Sequence, residues 1–282
     1  MNKKCIFLIP VFNRKENIKR IVENEYLMNN FYFLFIDDHS TDGTMEELKK
    51  YSLDKYNVKY IKTKNPNSFW YGAIYEGIEY LYELSKYQTE DYDFFGFMND
   101  DIDFTFFNDL NLEFDECSKT IYFAPAYWKS KNKYTAGEAN GILMVSDKKD
   151  ELLGCEYSSI GGFFTIFPYE SMKHIYFRKL PDFIKHYHAD TLISLDLVNS
   201  GFIIKPLKYV EVIIDDNDKT RLANMSFLTK LTDVRSPYEW RSSIYWYIMS
   251  KSELSSFFIK LTKHFGKCLV YGLYFKIRRY IK

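Results

Sequence analysis

The sequence has no cysteines at metal-binding spacing, no net charge and no apolar run long enough to cross a bilayer. Each absence closes off a class of function. Its four cysteines, Cys5, Cys117, Cys155 and Cys268, lie far apart and form no CxxC. That pattern shows no metal spacing and favours free thiols in a reducing compartment, so the cytoplasm is the expected location. Lys+Arg and Asp+Glu balance at 38 each, so no overall field draws the chain to nucleic acid or to an anionic surface. Residues 1–11 superficially resemble a secretory leader, but the apolar run lasts only about seven residues before Asn13-Arg14-Lys15-Glu16, and a first β-strand explains it better. No window approaches the roughly 18 apolar residues a membrane helix needs, so an integral membrane protein is not expected. No repeat or low-complexity tract is present.

What is present is a globular composition, 46% hydrophobic and 27% charged over 282 residues, enough for one main core with an appendage. The first 105 residues alternate short apolar runs with helical periodicity, which predicts βαβ units and a parallel sheet. Strands are expected at 5–10, 31–36, 58–61 and 94–98. Asn13 with Glu16, and Thr44 with Glu47, read as capping boxes opening the first helix and a short helix ending near Tyr51. Trp70, Ile74, Gly77, Ile78, Leu81 and Leu84 recur at helical spacing over 68–87. Further on, 121–126, 141–145 and 163–167 read as strands, 190–199 as a helix, and 203–214 as a long strand or a strand pair. After a polar loop at 215–218 the chain turns mostly helical.

In an open α/β sheet, ligands bind beyond the carboxyl ends of the strands, and three polar groups fall at such ends. They are Pro10-Val11-Phe12-Asn13, Asp37-Asp38, and Asn99-Asp100-Asp101 followed by Asp103. Asn13 is equally read as a helix cap, and Asp38-His39-Ser40-Thr41-Asp42-Gly43 as a plain turn. The carboxylates at 100, 101 and 103 repel one another unless a cation or solvent relieves them. A leaving pyrophosphate carries about two to three negative charges, which Mg²⁺ or Mn²⁺ neutralises through one or two carboxylates and the phosphates themselves.

These residues carry a resemblance. Ile9-Pro10-Val11-Phe12-Asn13-Arg14, Ile36-Asp37-Asp38 through Gly43-Thr44, and Met98-Asn99-Asp100-Asp101-Ile102 look like the three donor-site motifs of family 2 glycosyltransferases. Residues 65–81, with Phe69-Trp70-Tyr71-Gly72-Ala73, are similar to a segment common in rhamnosyltransferase-like members. The resemblance covers roughly residues 4–213. It implies a GT-A fold, an α/β architecture with a mostly parallel central sheet and helices on both faces, here with a helical C-terminal extension. The implied domains are a catalytic domain at 1–214, divided into a nucleotide-sugar half (1–105) and an acceptor half (106–214), and the extension at 215–282.

The resemblance also implies inverting transfer from a nucleoside diphosphate sugar, UDP or dTDP favoured, to a glycan or lipid-linked acceptor in surface polysaccharide assembly. By the same resemblance Pro10, Val11, Phe12, Asn13 and Asp38 hold the nucleotide, Asp100 approaches the ribose or sugar, and Asp101 binds Mn²⁺ or Mg²⁺. Asn99 departs from the usual first carboxylate, which leaves Asp101 with Asp103 as a second candidate pair. The segment 185–195 resembles the family's acidic motif at a helix start and places the general base on Asp190. A helix-dipole partner is the plain alternative for that residue. His186 and His188 could flank the acceptor, Gly161-Gly162 resembles an acceptor-side loop, and Trp70 could stack on a sugar ring. Asp196 stands where the motif often ends in Arg.

The segment 260–282 interleaves apolar and basic residues as an amphipathic helix does, which suits peripheral contact with an anionic membrane face or a homodimer. Two rivals remain. A sugar nucleotidyltransferase needs a glycine-rich phosphate loop after the first strand, and 10–14 lack the glycines. A catalytically inert nucleotide-sugar-binding or scaffolding protein is left some room by Asn99.

Overall fold

A strand with both faces apolar must be covered on both sides, and this requirement organises the molecule. β1 (Cys5–Val11) is buried at every residue but Pro10. In the computed structural model, residues 3–87, 92–103, 119–139, 142–208, 210–214 and 225–249 are described, with positions 262 and 266. The basic segment 260–282 therefore lies almost wholly outside the described residues.

β1 lies between β2 (Tyr32–Asp37) and β4 (Phe94–Met98), parallel to both, with β3 (Val58–Lys62) parallel beyond β2. On the other side β9 (Phe164–Pro168) runs antiparallel to β4 and to β5 (Thr120–Phe123), and β10 (Ile203–Pro206) closes that edge parallel to β5. The seven-stranded order is β10-β5-β9-β4-β1-β2-β3.

Alternation along the strands divides the core in two. Phe7, Ile9, Phe33 and Phe35 meet Ile18, Ile21 and Val22 of α1 (Lys15–Val22) and Leu48 of α3 (Thr44–Asp54), with α2 (Glu25–Asn30) between them in sequence. Ile6, Leu8, Leu34 and Ile36 face the other way, onto Ala73, Ile74, Ile78 and Leu81 of α4 (Phe69–Lys86). That same face is covered by α6 (Ser171–Phe177) and α7 (Ala189–Asn199).

A second sheet, β11 (Val212–Ile214)-β6 (Ala126–Trp128)-β7 (Lys133–Ala139)-β8 (Ile142–Ser146), was not foreseen. The expected strand at 121–126 divides at Pro125, which has no N–H to give a ladder, and continues as β6 in the second sheet. The stretch 203–214 is the expected pair, but its two strands belong to different sheets, joined past Pro206. A short α5 (Lys149–Leu153) follows β8.

Beyond 214, the described residues form α8 (Phe227–Thr232) and α9 (Trp240–Met249), and α9 buries Trp246 and Tyr247 in the core face shared with α7. No helix among the described residues is long and apolar enough to cross a membrane.

Both expected capping boxes are corrected. Asn13 adopts φ +56° ahead of the helix, and α1 begins at Lys15 with no side-chain cap. Instead Asn13 Oδ1 accepts from Thr41 N at 2.8 Å and Asn13 N donates to Ser40 Oγ at 2.8 Å. Thr44 is the first residue of α3 after Gly43 at φ +91°, and its N–H donates to Asp42 Oδ1 at 3.0 Å. Arg14 N donates to Thr44 Oγ1 and Lys15 N to Asp42 Oδ2. The residues expected to cap two helices therefore bind two loops to each other.

Candidate active site

The parallel pairing of β1 with β2 and β4 aligns their carboxyl ends, so all three sequence groups meet along one edge. Val11 stands in register with Asp37, and the loop after β1 is fastened to the loop after β2 by the bonds just described. Phe12 remains 56% exposed at this edge. An aromatic face presented to solvent on a fixed loop suits stacking against a flat ring.

Asp38 is turned inward. Its Oδ1 accepts from Thr63 Oγ1 and from Ser68 N, both at 3.1 Å, and its Oδ2 from Phe69 N at 3.0 Å. These are the amides where α4 begins, so the carboxylate satisfies donors that the helix cannot. Phe69 has φ +57°, a backbone region costly for an aromatic residue, and Asp38 holds it there. Asp38 thus fixes the loop at 65–69 and, through it, the position of Trp70.

The acidic cluster separates. Asp100, 7% exposed, turns toward α1, where Arg14 Nε and Asn17 Nδ2 both lie 3.0 Å from Oδ2. Burial pushes its carboxyl up to about 6, with Asp101 adding to the effect and Arg14 and Asn17 opposing it. Arg20 holds the same turn by donating to the Asp100 and Ile102 carbonyls. Asp101 is exposed, and Asp103 pairs its backbone with Ile213 of β11. No group of three or more His, Cys, Asp or Glu poised to hold a metal occurs among the described residues. Asn99 points to the opposite side from Asp100, and its Oδ1 receives the indole N–H of Trp70 at 3.1 Å.

Asp190 opens α7 beside this edge. Its Oδ2 accepts from Gly162 N at 2.7 Å and its Oδ1 from Thr191 N at 2.8 Å. Burial raises its pKa above the ordinary carboxylate value, and the two amide hydrogen bonds work against that rise. A side chain at Gly162 would place Cβ 2.7 Å from Trp70 Cζ2 and 3.2 Å from Asp190 Cβ. The bare backbone of Gly162 is therefore what lets Trp70 and Asp190 both pack against it, whereas a Cβ at Gly161 would meet only ordinary contacts. Asn99, Trp70, Gly162 and Asp190 form a continuous line from the end of β4 to the start of α7.

His188 is the residue before α7, at φ +68°, and its ring stacks on Trp246 of α9 at 5.6 Å. His186 packs edge-on against Tyr187. Asp196 bonds His174 of α6 and Arg178 just beyond its end at 2.8 Å each, so this carboxylate fastens two helices. Sequence reasoning missed the partners Arg14 and Asn17, although their one-turn spacing on a helix opening toward the acidic cluster was readable.

Solved structures match nearly the whole chain. Residues 1–349 of TarS from S. aureus are 13% identical at a TM-score of 0.51, with 94% of this chain and 80% of that one covered. This is the GT-A fold. The mannosyltransferase PcManGT from Pyrobaculum calidifontis, in complex with GDP-Man and Mn²⁺, shares it at 9% identity and a TM-score of 0.55, covering 97% and 88%. GalNAc-T7 with UDP, GalNAc and Mn²⁺ does so at 9% identity and 0.51, covering 94% and 54%. Within the GT-A domain, residues 6–104 match the model of Glycosyl transferase family 2. No curated protein sequence matches the chain.

Proposed function

We propose that the protein is an inverting glycosyltransferase. It moves a sugar from a nucleoside diphosphate donor, of UDP or dTDP type, to a hydroxyl of a glycan or lipid-linked acceptor in surface polysaccharide assembly. One observation carries the reading: a half-buried carboxylate held by two backbone amides and with its pKa raised, Asp190, stands beside the strand end that holds Asn99 and Asp101. The match of residues 6–104 to family 2 and the GT-A neighbours that hold nucleotides support it.

Asp190 accepts the proton of the attacking hydroxyl as its oxygen bonds to the anomeric carbon, while the bond from that carbon to the diphosphate breaks and the nucleoside diphosphate departs. Two backbone amides orient the carboxylate. The raised pKa makes it a better proton acceptor than an exposed aspartate, provided the pH keeps it ionised. Phe12 lies against the base, and Asp38 sets the loop that carries Trp70. Asp100 serves from within, anchoring α1 to the strand end through Arg14 and Asn17.

A divalent metal fits the exposed carboxylate of Asp101, with Asp103 near in sequence, because Mg²⁺ and Mn²⁺ in such sites take one or two carboxylates and complete their shell with phosphate and water. Bound there, it would neutralise charge on the leaving diphosphate.

Thermal unfolding with UDP, GDP, dTDP and CDP, with and without Mn²⁺, tests the proposal. The matching nucleotide near 100 times its Kd is expected to add about 2.7 kcal/mol, roughly 4–5 °C for a chain of this size. Asp101→Ala is expected to abolish the metal-dependent part. A flat response to every nucleotide would overturn the proposal.

A further inference from the structure

An indole N–H can only donate, so the amide atom of Asn99 lying 3.1 Å from Trp70 Nε1 must be its oxygen. Amide orientation is usually a matter of choice, but here the chemistry of the partner decides it. The backbone N–H of Asn99 is already given to Phe163 O at 3.1 Å, so the side-chain NH₂ is the donor of this half-buried residue left for a ligand. Trp70 is itself held on three sides. Asp38 fixes the preceding residue, the indole stands edge-on to Phe97 at 5.6 Å, and the bare backbone of Gly162 leaves it room.

We propose that Trp70 fixes Asn99 as a hydrogen-bond donor toward an oxygen of the nucleotide-sugar. The first position of the 99–101 cluster then offers N–H to the ligand, and Asp101 is left as its outward-facing carboxylate. The oxygen bound is a phosphate or ribose oxygen of the nucleotide, or a hydroxyl of the transferred sugar. Trp70 is a positioning residue in this arrangement, and Asn99 makes the contact. The inference rests on the glycosyltransferase reading.

The test is a binding cycle by calorimetry in Mn²⁺, using UDP, GDP, dTDP and CDP and their commercially available sugar conjugates, on the full chain and on Trp70→Phe, Asn99→Ala and the double variant. Phe keeps a ring against Gly162 but has no N–H. For the donor that binds wild type, Trp70→Phe and Asn99→Ala are each expected to weaken affinity roughly 3–10-fold, and the double variant no more than Asn99→Ala alone. A Trp70 that served only as packing would cost affinity equally in both backgrounds, and that additivity would overturn the inference. Asn99→Asp keeps an acceptor for the indole but turns an anion toward the ligand. It is expected to weaken metal-free nucleotide binding further and to strengthen binding of Mn²⁺ alone.

Losses already seen with the bare nucleotide identify a nucleotide oxygen, and losses confined to the sugar conjugate identify a sugar hydroxyl. Wild-type binding that none of the variants alters defeats this inference and leaves the proposed function standing. Wild type that binds no nucleotide defeats the function itself. Independently of any ligand, exchange of the Trp70 indole proton followed by NMR should quicken in Asn99→Leu and stay slow in Asn99→Asp.

Discussion

Asp190→Asn is expected to retain binding of the nucleoside diphosphate while transfer falls by about 10²–10⁴-fold, the usual contribution of a positioned general base. The substitution keeps shape and removes the proton-accepting charge. It also puts an NH₂ where an oxygen now accepts from Gly162 N or Thr191 N, so a modest loss of melting temperature should accompany it. Initial rates and nucleotide titration on the same preparation separate the two effects.

The pH dependence has a definite sign. The group must be ionised to accept a proton, and its pKa in the folded protein is raised by burial. Transfer should therefore fall as pH drops through a limb displaced above the ordinary aspartate value, and this limb should vanish in the Asn variant. Stability runs the other way. A carboxyl whose folded pKa is raised contributes stability that is fully present below the unfolded pKa and is lost as pH rises through the folded value. Wherever the pH ionises it, the base thus costs the fold stability. An Asp190→Asn protein that transferred normally would sink the assignment.

Gly96→Ala is expected to be among the most destabilising single changes. β4 lies between β1 and β9, and a Cβ at Gly96 would stand 2.5 Å from Phe7 Cε1 and 2.6 Å from the Thr165 carbonyl oxygen. The ring could yield by repacking, but it is wedged between Phe33 and Phe164, and the carbonyl belongs to the paired strand and cannot move alone. Overpacking in a dense core costs about 1–3 kcal/mol, and with backbone in the way the upper end applies. That corresponds to a fall of about 5 °C in melting temperature for a chain of this size. A change under about 2 °C would show that the sheet relaxes far more easily than its packing implies.

Much of this was legible in the residues themselves. Short, mostly apolar strands alternating with helical patterns pointed to a covered parallel sheet, and the parallel pairing of β1 with β2 and β4 does bring the polar groups at their carboxyl ends to one edge. What escaped was how polar side chains choose among nearby partners. Asn13 and Thr44 have the chemistry of caps, yet each is spent on the neighbouring loop, because the pairing of β1 with β2 brings those loops within hydrogen-bonding reach. The cluster at 99–103 read as mutual repulsion, but residues adjacent at a strand end point to opposite sides, so Asp100 reaches Arg14 while Asn99 reaches Trp70. The second sheet was hidden because the apolar stretches either side of Pro125 and Pro206 read as one strand or adjacent strands, while the chain changes sheet at those prolines.

The fastening of the loop after β1 to the loop after β2 bears on the speed of recognition. Hydrogen bonds between Asn13, Arg14 and Lys15 on one side and Ser40, Thr41, Asp42 and Thr44 on the other join these segments before any ligand arrives. A nucleotide landing there has little backbone left to immobilise, so its entropic toll is small and its capture should proceed in one kinetic phase.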